Sequence, residues 1–156
     1  MTLASFNAAP AGEAVAVMLS CCASRRFADA MAADRPYPSL AAARGATQAA
    51  FESLTWDDVL EAMSAHPRIG ARVHGQSAAE QSGVADSSRT ALAAGNARYE
   101  ERFGYVFLIC ATGLSGEQMR AALEDRLGND PATERAVATA ELEKITLLRV
   151  AKALAA

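Results

Sequence analysis

Two histidines, His66 and His74, lie eight residues apart in a turn-rich segment, and a glutamate, Glu80, follows them. His66 stands directly before Pro67. Proline has no N–H to give and pushes the residue before it out of the α region, so a helix arriving at His66 stops there. The spacing places His66 at the C-terminal edge of a helix, its ring free to face a pocket, where helix carbonyls favour a protonated imidazole. A plainer reading stands beside this one: a helix stop followed by a surface loop. His66 also falls three residues past Met63 and seven past Val59, on an apolar helix face. A histidine so placed is most often a hydrogen-bonded core residue. Ser77-Ala78-Ala79-Glu80 has the form of a capping box, with Gln81 next, and predicts another helix start. Such a start would gather Ser77, Glu80 and several backbone N–H groups at one binding point for a polar or anionic ligand. A metal-dependent hydrolase built on His66, His74 and Glu80 is a rival reading. The two histidines are separated by a loop that holds Pro67 and Gly70, which is no recognised ligand spacing.

The elements that position these residues read as helices. Pro10 and Glu13 suit the first turn of one, with Val15, Met18, Leu19 and Cys22 at helical spacing. Ser24 predicts a cap for a helix reaching about Ala33, and Ser39 for another running toward Leu54. A rigid connector at 34–38 joins them. Arg44 and Gln48 fall on a solvated face. Thr55-Trp56-Asp57-Asp58 starts the helix that leads to His66, with Val59, Leu60 and Met63 on its apolar face. Asp86 or Ser87 caps a helix through Leu92, Ala97 and Tyr99 to about Phe103, and Gly104 ends it. Tyr105–Cys110 is the one stretch of strong β character, and no partner strand is legible. It predicts a buried extended connector whose backbone must find hydrogen-bond partners, some of which a ligand could supply. Phe107, Leu108, Ile109, Cys110 and Ala111 are therefore a candidate pocket wall. Ser115-x-x-Gln118 begins a further helix that ends at Gly128-Asn129. Asp130-Pro131 opens the last, toward Ala155, with a stripe of Ala138, Leu142, Ile145 and Leu148. Arg149 sits near the middle of that stripe. It either snorkels outward or points at something that needs a fixed positive charge.

The chain has 156 residues, 51% of them hydrophobic and only 6% aromatic, which predicts one domain with an aliphatic core of closely packed helices. The net charge of −3 and the lack of a lysine/arginine block argue against a nucleic-acid partner. Three cysteines, Cys21, Cys22 and Cys110, form no metal or disulfide pattern and point to a reducing, cytoplasmic compartment. The apolar run Ala14–Cys22 follows Glu13 with no basic residue before it, so it reads as a buried helix and not as a signal-peptide core. No segment is long enough to span a membrane, and no membrane partner is expected.

Several stretches together resemble one family. They are Arg35-Pro36-Tyr37, His66-Pro67-Arg68-Ile69-Gly70, Ser77 through Gly83, Asn96 through Ala111, Arg126 through Asp130, Glu134, and the segment from Glu141 to Arg149. The chain is similar along nearly its whole length to the decarboxylases of 2-oxo-4-hydroxy-4-carboxy-5-ureidoimidazoline (OHCU), enzymes of urate degradation. The resemblance implies a single all-α domain over residues 1–156, with one short extended connector, that forms a homodimer. It implies cofactor-independent loss of CO2 from OHCU to give (S)-allantoin, with no metal. It assigns catalysis to His66, Glu80 and Arg149. Substrate contacts fall on Pro67, on Ser77, Ala78, Ala79, Glu80 and Gln81, and on Phe107 through Ala111. A non-catalytic helical binding module that keeps the pocket is the alternative. The presence of both His66 and Glu80 speaks against it.

Overall fold

A computed structural model describes residues 1–68 and 86–155, with backbone alone at 86–88. Eight helices run through these residues: α1 Leu3–Ala8, α2 Ala11–Cys21, α3 Arg25–Ala33, α4 Leu40–Ser53, α5 Trp56–Met63, α6 Asp86–Phe103, α7 Gly116–Leu127 and α8 Pro131–Ala155. Among the described residues there is no strand, only an isolated bridge between Thr2 and Ala155. The fold is all-α. No helix of the described residues is long and apolar enough to cross a membrane.

Short polar residues set most helix starts. Ser24 Oγ accepts from the Phe27 N–H at 3.2 Å, and Ser39 Oγ from the Ala42 N–H at 3.0 Å. At α5 the Thr55 and Asp58 side chains each accept from the other's backbone N–H. Ser115 and Gln118 close a reciprocal capping box at α7. Each cap satisfies an N–H that the helix cannot, and is worth about 0.5–2 kcal/mol. Gly104 ends α6 at φ 85°, and its N–H donates to the Glu100 carbonyl at 2.8 Å. A Cβ there would be strained, so glycine fits this αL position.

The described chain forms two compact units. The first comprises Met1–Ala62 and Leu142–Ala156. Phe6, Met18, Phe27, Met31, Leu142 and Leu154 are buried in it. Helix α1 has no counterpart in the sequence reading. Thr2 caps it through the Ser5 N–H, and it buries Phe6, whose ring stacks on Tyr37 at 6.4 Å. The 34–38 connector is fixed by polar contacts to α1, its C-cap residue Ala9 and the end of α3. The Arg35 guanidinium donates to the carbonyls of Ala32, Phe6 and Ala9, and Asn7 exchanges two hydrogen bonds with the Tyr37 backbone. In α2 the buried row is Ala14, Met18 and Cys21, while Val15 and Leu19 are half-buried. Cys22 lies past the helix end in extended backbone.

The second unit is Met63–Glu141. Its core joins Leu92 and Tyr99 of α6, Phe107, Ile109 and Ala111 of the connector, and Met119 and Leu123 of α7. A Cβ at Gly95 would lie 2.3 Å from Leu123 Cδ2, so the missing side chain lets α7 approach α6.

One expectation for α8 is corrected. Leu148 is not in the buried stripe but 46% exposed. From Leu142 the buried row advances in steps of four through Thr146, Val150 and Leu154, which rotates Leu148 outward.

Candidate functional site

The Tyr105–Cys110 segment pairs with no strand, yet Phe107, Leu108, Ile109 and Ala111 are buried. Side chains from three helices take the place of a partner strand. Asn96 Oδ1 of α6 accepts from the Phe107 N–H at 3.1 Å. A guanidinium N–H of Arg126, near the end of α7, donates to the Leu108 carbonyl at 2.8 Å. Glu141 Oε1 of α8 accepts from the Cys110 N–H at 3.1 Å. In an extended chain, backbone groups of alternate residues face opposite edges. The Leu108 carbonyl and the Cys110 N–H therefore share the edge that Arg126 and Glu141 cover, and Ile109 presents its backbone to the other. Among the described residues nothing hydrogen-bonds the N–H or carbonyl of Ile109. A buried donor and acceptor so placed suit an amide-like ligand edge.

Arg126 is itself held by a buried anion. Its guanidinium meets Glu134 at 2.6 Å, with Arg126 7% and Glu134 0% exposed. Glu134 also accepts from the Asn129 side chain at 3.0 Å and from the Tyr99 hydroxyl. The Arg126 guanidinium lies over the Phe107 ring, 4.4 Å from its centroid. Burial and the Glu134 carboxylate both push the Tyr99 phenol far above its ordinary range, so it stays a donor. A desolvated ion pair needs such satisfaction of its remaining lone pairs and protons to be tolerated.

His66 lies beyond α5, half-buried, and its N–H donates to the Met63 carbonyl at 3.0 Å. The helix stops at Met63, three residues earlier than the position of Pro67 alone suggests. A proline ring clashes with the carbonyl four residues before it, here Met63, so the last α-helical residue is the one that would otherwise collide. Val59, Ala62 and Met63 form the buried face of α5, and His66 follows them. Pro67 is half-buried. Arg68 is tied to α6 by two contacts to the Glu100 carboxylate, 3.0 and 3.1 Å. The exposed guanidinium makes this pair worth little in stability, but its fork geometry ties Arg68 to α6. Ser77, Ala78, Ala79, Glu80 and Gln81, and with them His74, lie outside the described residues.

Arg149 belongs to the first unit and is half-buried. It is close enough to Cys21 and Cys22 to favour their thiolates, but burial dominates and pushes both thiols up to about 11. The thiolate is the reactive form, so native Cys21 and Cys22 are expected to resist a disulfide reagent at pH 8 and to react once guanidinium chloride unfolds the chain. Their folded pKa values lie above the unfolded ones. The stability they contribute is whole below about pH 9 and is lost between about pH 9 and 11. Thiol titration with and without denaturant, and melting temperatures across that window, check both statements.

The first unit also has a small apolar cavity lined by Leu40, Ala41, Arg44, Leu147, Val150 and Ala151. It contains none of the candidate site residues and, beyond Arg44, no ionisable group. Among the described residues no three of His, Cys, Asp and Glu come together as a metal set.

The profile of the OHCU decarboxylase family matches residues 7–151. The chain belongs to that family. It is 38% identical over 144 residues to the uric acid degradation bifunctional protein TTL of Arabidopsis thaliana, covering 85% of this chain and 44% of that protein. It is 49% identical over 55 residues to the 2-oxo-4-hydroxy-4-carboxy-5-ureidoimidazoline decarboxylase of Amia calva, covering 35% of this chain and 31% of that one. The chain thus spans less than half the length of each of these two relatives. A crystal structure of an OHCU decarboxylase in the presence of (S)-allantoin superposes with a TM-score of 0.76 at 36% identity, covering 88% of this chain and 96% of that one.

Within this OHCU decarboxylase fold, three ties to the connector escape a reading by motif. Asn96, Arg126 and Glu141 all lie in stretches that carry the family resemblance, but nothing in their spacing announces a shared target. The signal that could have exposed them is the connector itself: buried extended backbone with no partner strand requires polar side chains from elsewhere.

Proposed function

We propose that this chain decarboxylates OHCU to (S)-allantoin and CO2, without a cofactor or metal, as a carboxy-lyase of urate degradation. The observation that carries the reading is the connector. It offers an amide edge at Ile109 that no described residue pairs, with the groups on either side of Ile109 held by Arg126 and Glu141, in a chain that belongs to the OHCU decarboxylase family. OHCU is a ring of amide and ureido groups, whose N–H and C=O complement such an edge. Phe107 through Ala111 serve as substrate contacts in this reading, joined by Pro67 and by Ser77 through Gln81.

The substrate supplies its own electron sink. The carboxylate leaves from C4, which also bears the hydroxyl, and the electrons of the breaking C–C bond pass into the neighbouring C5=N bond; the resulting enol becomes the ring ketone as C5 takes a proton. The protein has to align that bond with the C5=N π system, stabilise the charge that gathers on the ring nitrogen and protonate one face of C5. His66 delivers or removes the proton as general acid/base. Glu80 orients the imidazole or binds ureido N–H groups. Arg149 fixes an oxygen of the substrate with its planar fork. A strong ion pair to the departing carboxylate would stabilise the ground state and slow the reaction, so Arg149 holds another oxygen or one edge of that carboxylate.

The family resemblance also supports one domain over residues 1–156 and a homodimer. Helix α8, whose residues belong to both compact units, supports the first. Three free cysteines fit a cytoplasmic setting. The deciding experiment is turnover of freshly made OHCU, followed by circular dichroism. OHCU decays unaided to racemic allantoin, so the expected result is accelerated decay with a large excess of (S)-allantoin, undiminished by exhaustive chelation. Racemic product at the spontaneous rate would favour a binding module, and activity restored by added zinc a metal-dependent hydrolase.

A further inference from the structure

We propose that Glu141 is a positioning residue which, with Arg126, sets the register of the connector and so aims the Ile109 N–H and carbonyl at the substrate. The inference rests on the decarboxylase reading of this site. Glu141 Oε1 accepts from the Cys110 N–H at 3.1 Å, and the Arg126 guanidinium donates to the Leu108 carbonyl at 2.8 Å. The two groups they hold flank Ile109 on either side along the chain and share one edge. A donor and an acceptor on that edge reproduce what a neighbouring strand would offer, so the connector is fixed without a sheet. The two ties come from different helices, α8 and α7. Arg126 holds the chain before Ile109, where Asn96 also holds the Phe107 N–H, and Glu141 holds it after. Removing the Glu141 acceptor loosens the Cys110 end while Arg126 and Asn96 still hold the chain before Ile109, so the Ile109 groups lose part of their fixed direction. Backbone contacts to the ring exist before and during bond breaking alike. Their misalignment weakens substrate and transition state together, which raises KM more than it lowers kcat.

Glu141 is half-buried on α8, so substitutions there need not disturb the core. Glu141→Gln keeps an oxygen to accept from Cys110 and removes the charge. Glu141→Leu removes the acceptor. With OHCU as substrate, Glu141→Leu is expected to lose at least tenfold in kcat/KM, mostly through KM, while Glu141→Gln stays within about threefold of wild type. A purely structural role would instead reduce the active fraction and lower apparent kcat at constant KM. Wild-type kinetics in Glu141→Leu, a loss confined to kcat, or equal losses in the leucine and glutamine variants would each overturn the proposal. If Glu141→Leu does not fold, Glu141→Asp replaces it, withdrawing the carboxylate by one methylene. It is expected to raise KM at least threefold, and an unchanged KM overturns the proposal equally. A wild-type chain that leaves OHCU decay unaccelerated defeats the decarboxylase reading itself, an outcome distinct from an active wild type with indifferent variants.

Discussion

Replacing His66 by asparagine should leave a folded protein that has lost about 10²–10⁴-fold in OHCU turnover, the range a general acid/base contributes. The fold is expected to survive because the backbone N–H of residue 66, not its side chain, closes on the Met63 carbonyl. Asparagine is also well accepted just past a helix end. It offers a hydrogen bond but no proton that titrates near neutrality, so binding should persist while proton transfer fails. Stopped-flow absorbance of fresh substrate, with circular dichroism for product handedness, reads both quantities. His74→Ala serves as the companion, since His74 matches no functional position of the family, and it should turn over normally. Near wild-type rates in His66→Asn would remove His66 from the mechanism.

The second large effect is on stability. Arg126→Met removes the cation facing Glu134, which is 0% exposed, and the donor to the Leu108 carbonyl. An uncompensated buried charge costs about 3–5 kcal/mol. For a chain of this size, at about 2–4 °C per kcal/mol, Tm should fall by about 6–20 °C. Adding Glu134→Leu to Arg126→Met should recover part of that loss, because the orphaned carboxylate is then gone. Thermal melts of the two single variants and the double variant measure the coupling. A Tm within a degree or two of wild type in Arg126→Met would mean that Asn129 and Tyr99 satisfy Glu134 unaided.

Helix boundaries were legible where a single residue enforces them. Ser24, Ser39 and Ser115 cap as their spacing predicts, and Gly104 terminates α6 as expected. These signals are local, acting over three or four residues. Helix α1 escaped because Thr2 and Ser5 are weak markers and Phe6 is its sole buried residue. In sequence the stripe on α8 continues through Leu148, because three-residue and four-residue steps look alike there. Which step is buried depends on the neighbouring helix. The candidate site was legible as a family pattern and, at His66-Pro67, as a break in a helix. Its mechanical support was not. The side chains that hold Phe107, Leu108 and Cys110 come from 11, 18 and 31 residues away. No periodicity links residues at such separations. They share a target only once α6, α7 and α8 have packed.

The two compact units differ in continuity, and this orders events during synthesis. Met63–Glu141 is one unbroken stretch and can collapse as soon as it has left the ribosome. The unit of Met1–Ala62 needs Leu142–Ala156 to complete it, so its first part waits while 79 further residues (141 minus 62) are added. At about 5–20 residues per second that delay is on the order of 4–16 s. Throughout it, Phe6, Met18, Phe27 and Met31, all buried in the finished unit, belong to a unit that still lacks Leu142 and Leu154. The nascent chain therefore carries these apolar side chains early and completes their unit last, which makes residues 1–62 the natural client of a holding chaperone.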